Sequence, residues 1–141
     1  MLVRLLYASR ARGVDADAID AILAQCRSKN PAQGVTGILC HGGDIFMQVV
    51  EGGREAINHL YGDILRDPRH EQVTLLHYEE IAERRFAGWT MGLVNLERIN
   101  PSIVLKFSEK PVLDPFSVSG RASLALLEEL IATASIIGRA G

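Results

Sequence analysis

Apolar residues recur along the chain with two different periods, and the switches between them set an order of elements. In "LVRLLYAS" (2–9), Val3, Leu5 and Tyr7 share one face of a predicted strand, because strand side chains alternate sides. The period then lengthens. "DADAIDAILAQCRSKN" puts Ile19, Ile22, Leu23 and Cys26 at i, i+3, i+4 and i+7, a helical stripe. Asp15 and Asp17 suit its N-terminus by capping and by charge against the helix dipole. Asn30-Pro31 is expected to end it, since a residue before proline is pushed out of the α region. "GVTGILCHGGDIFMQVVEGG" (34–53) predicts a hairpin turning at His41-Gly42-Gly43-Asp44, with Phe46, Gln48 and Val50 on one face of its second strand.

A second helix is predicted through "REAINHLYGDILRD", with Ile57, Leu60, Tyr61, Ile64 and Leu65 on its apolar side. "HEQVTLLHYEEI" and "FAGWTMGLVN" are predicted strands, the latter with Trp89, Met91 and Leu93 on one face. The order βαββαββ predicts an α+β, ferredoxin-like sandwich: two helices on one face of a mixed sheet, spanning residues 1–95. Residues 96–141 are expected to form a C-terminal helical extension, with a proline-bearing connector "EKPVLDPF" and a predicted helix from Ser119 to Ile137. Leu124, Leu126, Leu127, Leu130, Ile131, Ile136 and Ile137 cover more than one stripe of that helix. It is therefore expected to pack on the sheet face opposite the two helices and to help form a homo-oligomer or partner site.

Composition narrows the classes. The chain has 141 residues, 48% hydrophobic and 23% charged, with a net charge of -2, which fits one domain with a real core. Without a basic block there is no cationic face for nucleic acid. No apolar run approaches the roughly 20 residues that span a bilayer, so no membrane association is expected. "MLVRLLYASRARG" does not read as a signal peptide, because Arg4 interrupts it, and Cys26 and Cys40 fit a reduced cytoplasmic setting as small core residues. Enzyme motifs are missing: there is no G-x-S-x-G, P-loop or dinucleotide-binding G-x-G-x-x-G. The four histidines lack metal-ligand spacing.

Three polar side chains need explaining together. Tyr7 and Gln48 fall on inward faces of central strands, and Asn30 sits where the first helix runs out. A buried amide must satisfy two donor hydrogens and its acceptor lone pairs. Each residue alone has an ordinary structural explanation; their convergence beside one slot does not.

At these residues the chain resembles the BLUF domain, the blue-light sensor using FAD, in its short stand-alone form. The resemblance runs from about Leu2 to Val94 and rests on "LLYAS", "NPAQGVTGIL", "DIFMQVVEGG", "RDPRH" and "IAERRFAGWTMGL". It implies noncovalent FAD, with Gln48 bonding the flavin's N5/O4 edge and the Tyr7 hydroxyl, and Asn30 bonding the pyrimidine edge. Ile22 and Ile64 would contact opposite faces of the ring, and Arg69 and His70 would lie near it. Light would drive a rearrangement of the Tyr7–Gln48 pair and a reversible red shift, relayed through Trp89 and Met91 to a downstream signalling protein. Two other readings stay open on the residues alone: a flavin-binding redox enzyme, and a ferredoxin-like interaction adaptor without flavin.

Overall fold

The computed structural model describes residues 1–132. Strand β1 (Leu2–Ala11) leads to helix α1 (Ala16–Gln33), the hairpin β2 (Thr36–Gly42) and β3 (Ile45–Gly53), helix α2 (Arg54–Arg66) and strands β4 (His70–Ile81) and β5 (Gly92–Asn95). A single 3-10 turn, Leu96–Arg98, a short helix α3 (Pro101–Leu105) and helix α4 (Gly120–Ala132) follow. The sheet order is β4-β1-β3-β2-β5, antiparallel except for the β2–β5 pair. This is the ferredoxin-like α+β arrangement the alternating periods predict. The hairpin turns through Gly43 at φ 57°, a left-handed conformation that glycine adopts without a Cβ clash.

The period of two sorts the sheet into two buried faces. Val3, Leu5, Tyr7, Leu39, Phe46 and Val50 meet Ile19, Ile22 and Leu23 of α1 and Ile57 and Ile64 of α2. On the other face Leu6, Ile38, Cys40, Met47 and Val49 meet Leu124, Leu126, Leu127 and Leu130 of α4. Each fully buried leucine there contributes about 2 kcal/mol of transfer free energy. Ser119 Oγ caps α4 by accepting from Ala122 N at 3.0 Å, and Asp15 caps α1 by accepting from Ala18 N at 2.9 Å.

Several expectations need correction. Helix α1 runs through Pro31 to Gln33 and ends at Gly34, whose φ of 68° is left-handed. The extra turn is held by Gly34 N donating to Asn30 and Pro31 carbonyls and by Val35 N donating to Asn30 O at 2.9 Å. A proline this near a C-terminus forfeits only one helical bond, so the glycine, not the proline, sets the end. Leu65 is exposed, on the outer edge of the α2 stripe. The fifth strand starts only at Gly92; residues 82–91 form a loop around the β2 edge of the sheet, where Gly37 N donates to Trp89 O at 2.9 Å. Trp89 and Met91 therefore do not share a face: Trp89 packs on the α4 side and Met91 on the α1/α2 side.

Ile136 and Ile137 lie outside the described residues. Within them, the apolar surplus of α4 is met by the same chain, because Ile99, Ile103, Phe107 and Leu113 pack against the α4 cluster. No described helix is long and apolar enough to cross a membrane.

Candidate functional site

Between α1 and α2, above the centre of the sheet, lies a cavity of about 420 Å³. That size falls in the range of small-molecule and cofactor sites. Its floor comes from β1 and β3, where Tyr7 and Gln48 are direct cross-strand partners, so their side chains emerge side by side. Ile22 from α1 and Ile64 from α2 line its walls, among polar and charged side chains that include Gln25, Lys29, His59 and Asp63. Asn30, Arg69 and His70 line it as well. Seven residues picked out from the sequence thus converge on one cavity.

The Gln48 amide is bonded at both ends. Tyr7 Oη donates to Gln48 Oε1 at 2.6 Å, and Gln48 Nε2 donates to Met91 Sδ at 3.4 Å. Burial holds the Tyr7 phenol well above its ordinary pKa, so at neutral pH it is a protonated donor. The two ends of the amide are unequal in strength. Its oxygen takes a short bond from a hydroxyl, whereas one of its hydrogens goes to a weak thioether acceptor.

Asn30 supplies the sharpest indication of a ligand. It is buried, yet its Nδ2 has no partner among the described residues. A stranded buried donor costs about 1–3 kcal/mol, which a ligand carbonyl or ring nitrogen in the cavity would recover. A planar heteroaromatic ring with acceptors on its edge fits this set: an aliphatic side chain on each of two helices, an amide donor without a partner among the described residues, and a second amide on the floor.

At the β4 end, His70 Nδ1 lies 2.7 Å from Ser9 Oγ, and its ring sits 4.7 Å from that of Phe46 and edge-on to Tyr7 at 5.9 Å. Desolvation lowers its pKa, favouring neutral imidazole. Arg69 is committed to Asp67, donating from Nε and Nη2 at 2.6–3.0 Å, and the bonds hold the Asp67 carboxyl below its usual range. Cys26 also lines the cavity, but burial raises its pKa, so it is a thiol rather than a nucleophile. Trp89 stands apart, across the sheet from the cavity.

Two features were not read from the sequence. Arg27 of α1 donates from Nη2 to the Met91 carbonyl at 3.1 Å, fixing that residue's backbone beside Gln48. On the opposite face Arg4 and Glu51, both buried and also cross-strand partners, form an ion pair at 2.7 Å. A charged position in each of two apolar strands was the available signal for that pair.

Residues 2–92 match the family model described as sensors of blue-light using FAD. Among curated proteins, the chain is 36% identical over 92 residues to photoactivated adenylate cyclase subunit beta of Euglena gracilis, covering 64% of this chain and 11% of that protein. It is 33% identical over 97 residues to the blue light- and temperature-regulated antirepressor BluF of Escherichia coli, covering 68% of this chain and 24% of that protein. The chain thus spans about a tenth to a quarter of these relatives. Among solved structures, the dark state of BlrB, a BLUF protein, superposes with a TM-score of 0.79 at 34% identity, over 94% of this chain and 96% of that one.

Proposed function

The chain belongs to the BLUF family, sensors of blue light using FAD, and from that premise we propose that its cavity holds FAD noncovalently and that Tyr7 and Gln48 are its photoactive pair. Membership makes it a flavin-binding light sensor. The observation that carries the proposal is the hydrogen-bonded chain Tyr7–Gln48–Met91 on the cavity floor.

When bound, the flavin supplies the visible chromophore and an electron acceptor. Ile22 and Ile64, which line the cavity from the two helices, would pack against the ring and help keep water from it. Asn30 would donate from its Nδ2 to the ring edge, and Arg69 and His70 would close the β4 end. With the ring bound, Tyr7 would be placed to lend it an electron, with the hydroxyl proton passing toward Gln48 Oε1 along the existing bond, and to take both back once the amide has rearranged, so that no net oxidation results. Gln48 then turns, or becomes its imidic tautomer, which reverses which neighbours its two ends can serve. Its new donor would face the ring edge, where a hydrogen bond would lower the transition energy and shift the band red. Its bond to Met91 Sδ is lost in the same movement, so Met91 senses the switch first and Trp89, in the same loop, senses it from the other face.

Residues 1–95 act as the sensor and 96–141 as an extension that passes the state on, in the cytoplasm, to a downstream signalling protein. Self-association of the chain belongs to the same reading. The similarity to an antirepressor supports a partner protein as the output.

The test is the colour of the purified protein. Denaturation releases an intact flavin that chromatography identifies as FAD, and blue light moves the visible band red, reversibly in darkness. Flavin-free protein that takes up none of FAD, FMN and riboflavin would end the reading; a preference for FMN would correct only the cofactor.

A further inference from the structure

The loop 82–91 is held at several points, and its strongest tether lies on the face away from the cavity. Glu51, whose side chain is 0% exposed, receives Phe86 N on Oε1 at 2.7 Å and Arg85 N on Oε2 at 3.1 Å. Arg4 donates to the same Oε2 from Nε at 2.8 Å and lies at 2.7 Å through Nη2. Arg4 also pairs with Glu79 on β4. Phe86 is itself fully buried in the α4-side cluster. A carboxylate buried without water is retained only where charge and hydrogen bonds satisfy it, and here half of those bonds come from loop amides.

The other end of the loop behaves differently. Trp89 is tied by Gly37 N donating to its carbonyl at 2.9 Å and by its own N donating to Phe86 O at 3.1 Å, whereas Met91 beyond it is held from its carbonyl by Arg27 and through its sulfur by the weak bond from Gln48. Gln48 and Glu51 lie three residues apart on β3, on opposite faces of the sheet. One strand therefore carries both the weakly held and the strongly held contact to the same loop.

We propose that Glu51 is a positioning residue of the switch: its buried carboxylate fixes the Arg85–Phe86 end of the loop, so that a rearrangement of Gln48 displaces only residues 87–91 and is read against a stationary end. This rests on Gln48 being the switch amide. Without the fixed end, the loop would drift as a unit and Met91 would follow Gln48 without moving relative to Phe86.

Hydrogen exchange on the full flavin-loaded chain tests this, in darkness and under blue light. In darkness, amides of 85–86 are expected to exchange far more slowly than those of 82–83. Light is expected to change exchange at 87–91 several-fold and to leave 85–86 unaltered. Glu51→Gln keeps the shape but offers only one acceptor oxygen, so exchange at 85–86 in darkness rises about tenfold or more. The red shift of that variant persists, because Tyr7 and Gln48 are untouched, while its light-dependent change spreads to 85–86. Glu128→Gln, which removes the exposed pairing of Arg85 with α4, leaves 85–86 protected. The proposal is overturned if 85–86 exchange as freely as 82–83, if light moves 85–86 and 87–91 together in the wild type, or if Glu128→Gln loosens 85–86 as much as Glu51→Gln. The dark comparison needs no photochemistry, so absence of a red shift would count against the proposed function and leave the clamp to be judged on its own. Should Glu51→Gln fail to fold, the two wild-type measurements still decide.

Discussion

Removing one oxygen from the cavity floor separates the proposed photochemical role of Tyr7 from its structural one. Tyr7→Phe keeps the ring and its contacts with Tyr61 and His70, at centroid distances of 6.0 and 5.9 Å, so no cavity opens. What disappears is the 2.6 Å bond to Gln48 Oε1, and the amide oxygen is left buried without its donor. Stranding a buried acceptor costs about 1–3 kcal/mol. Taking about 2 kcal/mol, the melting temperature of a chain this size falls by about 6 to 10 °C. The cost depends on the acceptor: in a Gln48→Leu background the same substitution should cost well under 1 kcal/mol, because no oxygen remains to be stranded. Thermal melts of the four proteins in that cycle measure the coupling, and illuminated absorption spectra measure the switch. The variant should bind flavin and show no reversible red shift. A normal shift in Tyr7→Phe, or equal costs in both backgrounds, would refute the pairing.

Asn30→Ala should weaken flavin binding about tenfold by fluorescence titration while leaving the flavin-free protein nearly as stable, since Nδ2 has no partner among the described residues to lose; unchanged affinity would remove Asn30 from the site. Gly120→Ala would place a Cβ 2.0 Å from the Leu76 carbonyl oxygen, so α4 must lift off β4. Helix propensity alone would make that change stabilising by up to about 1 kcal/mol, so urea melts decide by sign: a loss is expected, a gain would mean the close approach is not real. His41 and His70 both have pKa values lowered by burial, so the unfolded chain takes up protons that the folded one resists. Stability should hold above the ordinary histidine value of about 6.5 and fall as pH drops below it, and His70→Gln should flatten that slope. Urea midpoints that rise on acidification through this range would contradict it.

The strands and helices that frame the cavity were legible because each has one buried face and one clear period. Tyr7 and Gln48 could be placed together from alternation alone, and the sheet register makes them direct partners. Ile22 and Ile64 followed from helical stripes. Legibility failed where the chain departs from a single period. The segment 82–91 carries spaced apolar residues like a strand, but it crosses the sheet edge, so Trp89 and Met91 bury on opposite faces. Pro31 misled because proline rules are weakest in a last helical turn, where little hydrogen bonding remains to be lost. The Arg4–Glu51 pair was hidden by its own rarity, since buried charges are too uncommon to be expected from pattern. In α4 the surplus of leucines pointed beyond the chain, but residues 96–113 supply the second surface for the described part.

The two buried faces of the sheet share every strand and almost no side chains. Point substitutions can therefore reshape the cavity side and leave the α4 side intact, or the reverse. Insertions and deletions have no such freedom. One residue added to β3 beyond Gln48 would turn Glu51 from the α4 side toward the helices, and one added before Gln48 would carry the amide away from Tyr7. Lineages of such a sensor are thus free to diversify by exchange of side chains, while the lengths of β1 and β3 stay locked.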